Sequence, residues 1–118
     1  MVAVHETLGV LVIAVAAVAS AAGAIAYRRR GSAGPVARQL LALAQTVLIA
    51  QVAVGLLLLS GDKRAPEELH YAYGTLALFA VLAPWLYAPT DPRRRLLWFA
   101  GATLLAGALA VRAFMTGA

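Results

Sequence analysis

Charge in this chain is confined to a few short clusters, and between them run four apolar stretches, at roughly 7–27, 39–61, 69–87 and 96–115. A helix rises about 1.5 Å per residue, so about 20 residues cross the ~30 Å hydrocarbon layer of a bilayer. Each stretch is of that length. A soluble domain of 118 residues would spread its charge along amphipathic elements. Here charged residues make up only 13% against 63% hydrophobic ones, and the mean hydropathy is +0.83. The pattern predicts an all-α, four-helix transmembrane bundle, taken as a single integral membrane domain over 1–118. The lipid bilayer is its first partner.

The charge clusters set the expected orientation. Seven of the nine arginines fall at 28–30, 38 and 93–95, flanking two of the expected membrane exits. Basic residues collect on the cytoplasmic side, so both clusters are expected inside and both termini outside (N-out/C-out). The net charge of +5 is thereby assigned to topology and headgroup contact rather than to nucleic acid. Ala19-Ser20-Ala21 has the look of a signal-peptidase site, but no basic residue precedes the first apolar run. The first segment therefore reads as a retained helix. Nine arginines against one lysine, with abundant alanine, suggest a GC-rich bacterial genome and the inner (plasma) membrane.

Turn chemistry supplies the connections. Gly31–Pro35 is a short inner linker and Asp62–Glu68 a polar outer loop. Pro66 followed by Glu67 and Glu68 is expected to open the third helix, with proline at N1 and carboxylates at its positive end. Pro84 is expected to kink the third helix, which runs on to Tyr87, and Pro89–Pro92 makes the second inner turn.

The two halves resemble each other. His5-Glu6-Thr7-Leu8-Gly9 and His70-Tyr71-Ala72-Tyr73-Gly74 share a His-x-x-x-Gly spacing 65 residues apart, and Arg28–Arg30 return as Arg93–Arg95 at the same offset. At an offset of 56, Leu41 matches Leu97, Ala44 matches Ala100, Leu48 matches Leu104, Ala50 matches Ala106 and Gly61 matches Gly117. The smaller offset assigns nine extra residues to the first inner loop. The reading is a duplicated helical hairpin, repeat 1 over 1–61 and repeat 2 over 66–117, in a parallel 2+2 arrangement about an axis along the membrane normal.

That symmetry puts His5 and His70, the only two histidines, at one depth near the outer surface. Each has a glycine one turn deeper, because residues i and i+4 share a helix face. Two imidazoles across a bundle, with glycine clearance beneath each, suit bis-histidine ligation of haem b. Gly9 and Gly74 would give the macrocycle room. Arg112, with Lys63 and Arg64, would meet its propionates.

On these residues the chain resembles small four-helix membrane cytochromes of the b561 type. That resemblance implies haem held between helices by histidines and electron exchange with quinones or soluble partners, as a protein by itself or as the cytochrome subunit of a larger membrane complex. Those proteins usually carry two histidine pairs. This chain has one, which implies one haem and no relay across the membrane.

Other readings stand beside this one. A cofactor-free accessory subunit of a larger complex, or a homo-oligomer packed through Ala102, Ala106 and Ala110, fits the composition equally. In that reading His5 is an interfacial residue, shallow in the outer leaflet, and Ala19 with Gly23 is a helix contact. A third reading gathers His5, Glu6, Glu67, Glu68 and His70 into an outer-face site for a divalent metal. Gln45 and Gln51 lie inside the second helix, where an unpaired amide is costly; each would bond a neighbouring helix or a quinone carbonyl. Arg112 has the alternatives of snorkelling to headgroups or pairing with Glu67 or Glu68. The absence of cysteine excludes disulfides, thiolate metal sites, iron–sulfur clusters and c-type haem. No nucleophile–base pair or phosphate loop is present, so the chain does not read as an enzyme by itself.

Overall fold

A computed structural model describes residues 2–29, 33–62 and 64–117. Four helices occupy nearly all of them: α1 (Val2–Arg29), α2 (Pro35–Ser60), α3 (Leu69–Tyr87) and α4 (Pro92–Gly117). All four are long and apolar enough to cross a membrane, as the sequence predicts. Three run past the expected apolar limits. Their extra turns include flanking polar and basic residues such as Glu6, Arg28, Arg38 and Arg93. Arg30, Gly31, Ser32 and Lys63 lie outside the described residues.

The helix starts are set by local chemistry. Pro35 occupies the first turn of α2 after Gly34, and Pro92 begins α4. Proline suits that position because its missing N–H would have no intrahelical partner there. Asp91 precedes Pro92 and caps α4, its Oδ2 accepting from the Arg94 N–H at 3.1 Å. The expected turn is thus also a cap. Replacing Asp91 by alanine should cost about 1 kcal/mol, read as an earlier midpoint in reversible detergent unfolding.

The opening of α3 departs from expectation. Pro66, Glu67 and Glu68 precede the helix instead of forming its first turn. The N–H groups of His70 and Tyr71 bond the carbonyls of Glu67 and Glu68, three residues back, at 3.1 Å each. Glu68 makes no side-chain cap. A tight turn satisfies these donors with backbone alone, so the glutamate side chains stay exposed. Further along, α3 continues through Pro84 to Tyr87, with Pro84 fully buried.

Helix α1 packs along both α2 and α4, and α3 packs along α4. Helices α1 and α3 sit diagonally, and α2 meets α3 only sparingly. Small residues make the close seams. A Cβ on Gly23 would come within 2.9 Å of the Ala100 Cβ, and one on Gly107 within 3.0 Å of the Ala16 Cβ. The interior is correspondingly alanine-rich: Ala16, Ala19, Ala44, Ala77 and Ala106 are all buried. Large side chains such as Leu57, Phe79 and Leu86 point outward. Lipid tails are as apolar as leucine, so such a bundle gains by backbone approach rather than by hiding bulk. Ala19 and Gly23 are helix contacts, as expected.

Both basic clusters lie at one end of the bundle. The Arg93 guanidinium stacks on Tyr27 at 4.4 Å, and Arg95 lies over Phe99 at 5.1 Å and Trp85 at 5.7 Å. The histidines lie at the other end.

Burial tests the internal matching residue by residue. Val12, Ala16 and Ala19 of α1 are buried, and so are Ala77, Val81 and Pro84 of α3, each 65 residues on. The second helices do not agree with an offset of 56. Leu41 and Leu48 are buried, whereas Leu97 and Leu104 are exposed. Burial of Ala37, Leu41 and Ala44 recurs instead at Leu96, Ala100 and Thr103, an offset of 59. Identity of letters misleads here because leucine and alanine serve both the seam and the lipid face.

Candidate functional site

The histidine end, where α2 and α3 meet only sparingly, holds a cavity of about 550 Å³ lined from all four helices. It is mostly apolar. Its polar lining comes from His5, Glu6, Gln51, Arg64, His70 and Tyr71 together with Thr75.

His5 and His70 meet across it. Their ring centres are 5.9 Å apart, with ring planes at 76°. The two histidines therefore come together as the symmetry argument requires, although α1 and α3 are not neighbours along their length. His5 lies in the first turn of α1 and is only partly exposed.

Each ring rests on a glycine of the other helix in its own hairpin. A Cβ on Gly117 would lie 2.7 Å from Cε1 and Nδ1 of His70. One on Gly55 would lie 3.1 Å from Cε1 of His5. Neither glycine was marked by the sequence as part of the site. No local signal marks them, since the contacts join residues about 50 apart in the chain.

The two rings differ in their hydrogen bonding. His70 Nδ1 lies 2.6 Å from the Ala113 carbonyl oxygen, one turn before Gly117. A carbonyl accepts only, so Nδ1 carries the proton and donates. In the neutral ring this leaves Nε2 as the lone-pair nitrogen. His5 Nδ1 is buried and has no hydrogen-bond partner among the described residues. The backbone carbonyl of Gln51 lies beside the His5 ring without completing that bond. Gln51 Oε1 is the second buried polar atom without a partner.

Tyr71 closes the outer side. Its phenol oxygen accepts from the Ala65 N–H at 2.8 Å, and its ring stands edge-on to His70 at 5.7 Å. The outer loop is thereby tied to the rim of the cavity.

No protein-family model, curated protein or solved structure matches this chain. Its chemistry is read from the geometry.

The expected glycine clearance is present on one side only. Around a Cβ built on Gly74 nothing lies within 4 Å, whereas one on Gly9 meets Gln51 Nε2 and Phe114 Cδ2 at 3.2 Å each. Gly9 is thus a packing residue for two larger side chains, and the open space belongs to the Gly74 side. Of the three expected propionate partners, Arg64 lines the cavity and Lys63 lies outside the described residues. Arg112 does not line it, and its guanidinium stacks on Tyr73 at 5.5 Å. Arg112 lies on the exposed face of α4, whereas its neighbour Ala113 lines the cavity.

The divalent-metal cluster does not assemble. Among the described residues no three histidine, aspartate or glutamate side chains converge on one point. Glu6 lines the cavity, but Glu67 and Glu68 do not. Gln45 is also accounted for, its Oε1 accepting from Trp85 Nε1 at 2.9 Å. That leaves Gln51 as the glutamine without a side-chain acceptor bond.

Proposed function

We propose that this protein holds a single haem b between His5 and His70 and passes electrons at one face of the membrane. The observation that carries the reading is the facing pair of imidazoles, 5.9 Å apart in a cavity of about 550 Å³. Two imidazoles sharing one metal through bonds of about 2 Å each have ring centres about 6 Å apart. The volume falls within the range of cofactor pockets, roughly 300–1,000 Å³. The donor set is also right for iron: neutral imidazole, with the His70 Nδ1–H already on a backbone carbonyl, which is how metal-bound histidines are commonly oriented.

A haem so held exchanges single electrons with a donor and an acceptor. The chain's own residues do the rest. His5 and His70 bind and orient; Ala113 fixes the His70 tautomer. The apolar walls keep bulk water away, and Arg64 offers a cation at the rim. Where α2 and α3 meet only sparingly, a quinone would have an approach from the bilayer. The arginine end faces the cytoplasm and both termini lie outside, in a bacterial inner membrane, by the charge rule. The matched burial of α1 and α3 supports descent from a duplicated hairpin.

One observation favours a cofactor-free accessory subunit instead: Gln51 and Phe114 fill the space over Gly9 with protein. Absorbance separates the two readings. Protein purified in detergent from haem-supplied cells should show a Soret band and a sharp reduced α-band, with one haem per chain. Protein without either band would overturn the haem reading.

A further inference from the structure

The two histidines rest on the same local construction, and it is made by residues outside the His-x-x-x-Gly motifs. On α4 it is the Ala113 carbonyl followed four residues later by Gly117. On α2 it is the Gln51 carbonyl followed four residues later by Gly55. In a helix the carbonyl at i already accepts from the N–H at i+4, and its second lone pair remains; on α4 the Thr116 hydroxyl also reaches Ala113 O at 3.0 Å, but it has Arg112 O at the same distance as an alternative acceptor. A side chain at i+4 would cover that lone pair. Glycine leaves it open, and an imidazole can lie flat over the gap.

We infer that Gly55 and Gly117 are matched seats that set the histidine tautomers, turning both Nδ1–H groups onto backbone carbonyls and both Nε2 lone pairs into the cavity. The α4 seat is complete: His70 Nδ1 reaches Ala113 O at 2.6 Å, and Nε2 lies on the ring edge away from Gly117. The α2 seat is half made. The Cε1 corner of His5 points at Gly55, with Nδ1 and Nε2 equally distant at 3.8 Å, and Nδ1 is without a partner. The inferred seat requires a rotation of the ring that turns Nδ1 onto the Gln51 carbonyl, one turn before Gly55, which would give the buried Nδ1 the partner it lacks. Two facing rings in this state offer two acceptors and no donor to each other. A shared metal ion would satisfy both. The two glycines are positioning residues, acting through the imidazoles.

The cofactor consequence rests on the haem reading; the tautomer assignment does not. The test is ¹⁵N-histidine NMR of the detergent-solubilised apoprotein at neutral pH, joined to haem-dissociation rates. The neutral form of each histidine should be the Nδ1–H tautomer. Gly117→Ala should shift the tautomer signature of His70 alone, and Gly55→Ala that of His5 alone. Each should speed haem loss about 10–100-fold, the usual cost of losing an outer-shell partner. Gly101→Ala, whose new Cβ meets nothing within 4 Å, should change neither readout. Unchanged tautomers in both variants overturn the inference, as does an Nε2–H tautomer at His70 in the parent protein. That last measurement also decides the matter should Gly117→Ala fail to fold. Tautomers that respond in a protein that never loads haem would remove the haem reading and leave the seats. Haem that loads with unresponsive tautomers would do the reverse.

Discussion

His70→Ala should purify without a Soret band, and His5→Ala should do the same. On the haem reading each imidazole would bond the iron directly, so its loss should exceed the ~100-fold that an outer-shell change costs. The two variants should nonetheless differ in the apoprotein. His70 makes a hydrogen bond to Ala113, and its removal should cost about 0.5–1.5 kcal/mol beyond the lost packing. His5 carries a buried nitrogen without a partner, so its removal relieves a desolvated polar group and should cost less, or nothing. Absorbance gives the first comparison. Reversible detergent unfolding of the haem-free proteins gives the second. Haem kept at full stoichiometry by either variant would falsify the ligand assignment.

Gly23→Leu should be the most damaging change away from the cavity. Its Cβ alone would stand 2.9 Å from the Ala100 Cβ, and both residues are buried. No flexible side chain is there to yield, so α1 and α4 must separate along the seam at the arginine end. Overpacking of this kind costs roughly 1–3 kcal/mol even where a core can relax, and two helix backbones relax poorly. The expected result is a large fall in unfolding midpoint or in yield of folded protein. Haem content should fall with it, because α4 carries the His70 seat. A variant as stable as the parent would mean that α1 and α4 are not held at this distance.

Those effects divide between what was legible in the chain and what was not. The four spans were legible because membrane crossing demands a length and an apolarity that can be counted along one dimension. The pairing of His5 with His70 was legible for a related reason. Each is marked by a polar residue in an apolar background and by arginines at a fixed distance, so the offset of 65 could be read from rare letters. The register of α2 against α4 was not. Alanine and leucine occupy both the seam and the lipid face, so matching Leu41 to Leu97 and Leu48 to Leu104 aligned buried residues with exposed ones. The two glutamates before α3 misled for a local reason: a backbone turn satisfied the helix start, and the carboxylates were not needed.

The site shows the same division. His-x-x-x-Gly pointed to Gly9 and Gly74 as clearance on one helix face, because an i, i+4 relation is visible in sequence. Whether that clearance stays open depends on what the neighbouring helices bring. Gln51 and Phe114 come to Gly9, and nothing comes to Gly74. The glycines that touch the imidazoles are Gly55 and Gly117, on other helices, and Arg112 turns to Tyr73 instead of the cavity.

By itself, then, the sequence determined that the chain makes four membrane-length apolar helices, and that two histidines share one end with the arginines at the other. Those are consequences of solvation and of spacing along a single helix. Only the tertiary structure decided which carbonyl each imidazole reaches, where the interior is open and which glycines matter. Those depend on how helices rotate and slide against one another, and in an apolar bundle that choice turns on the placement of a few missing methyl groups.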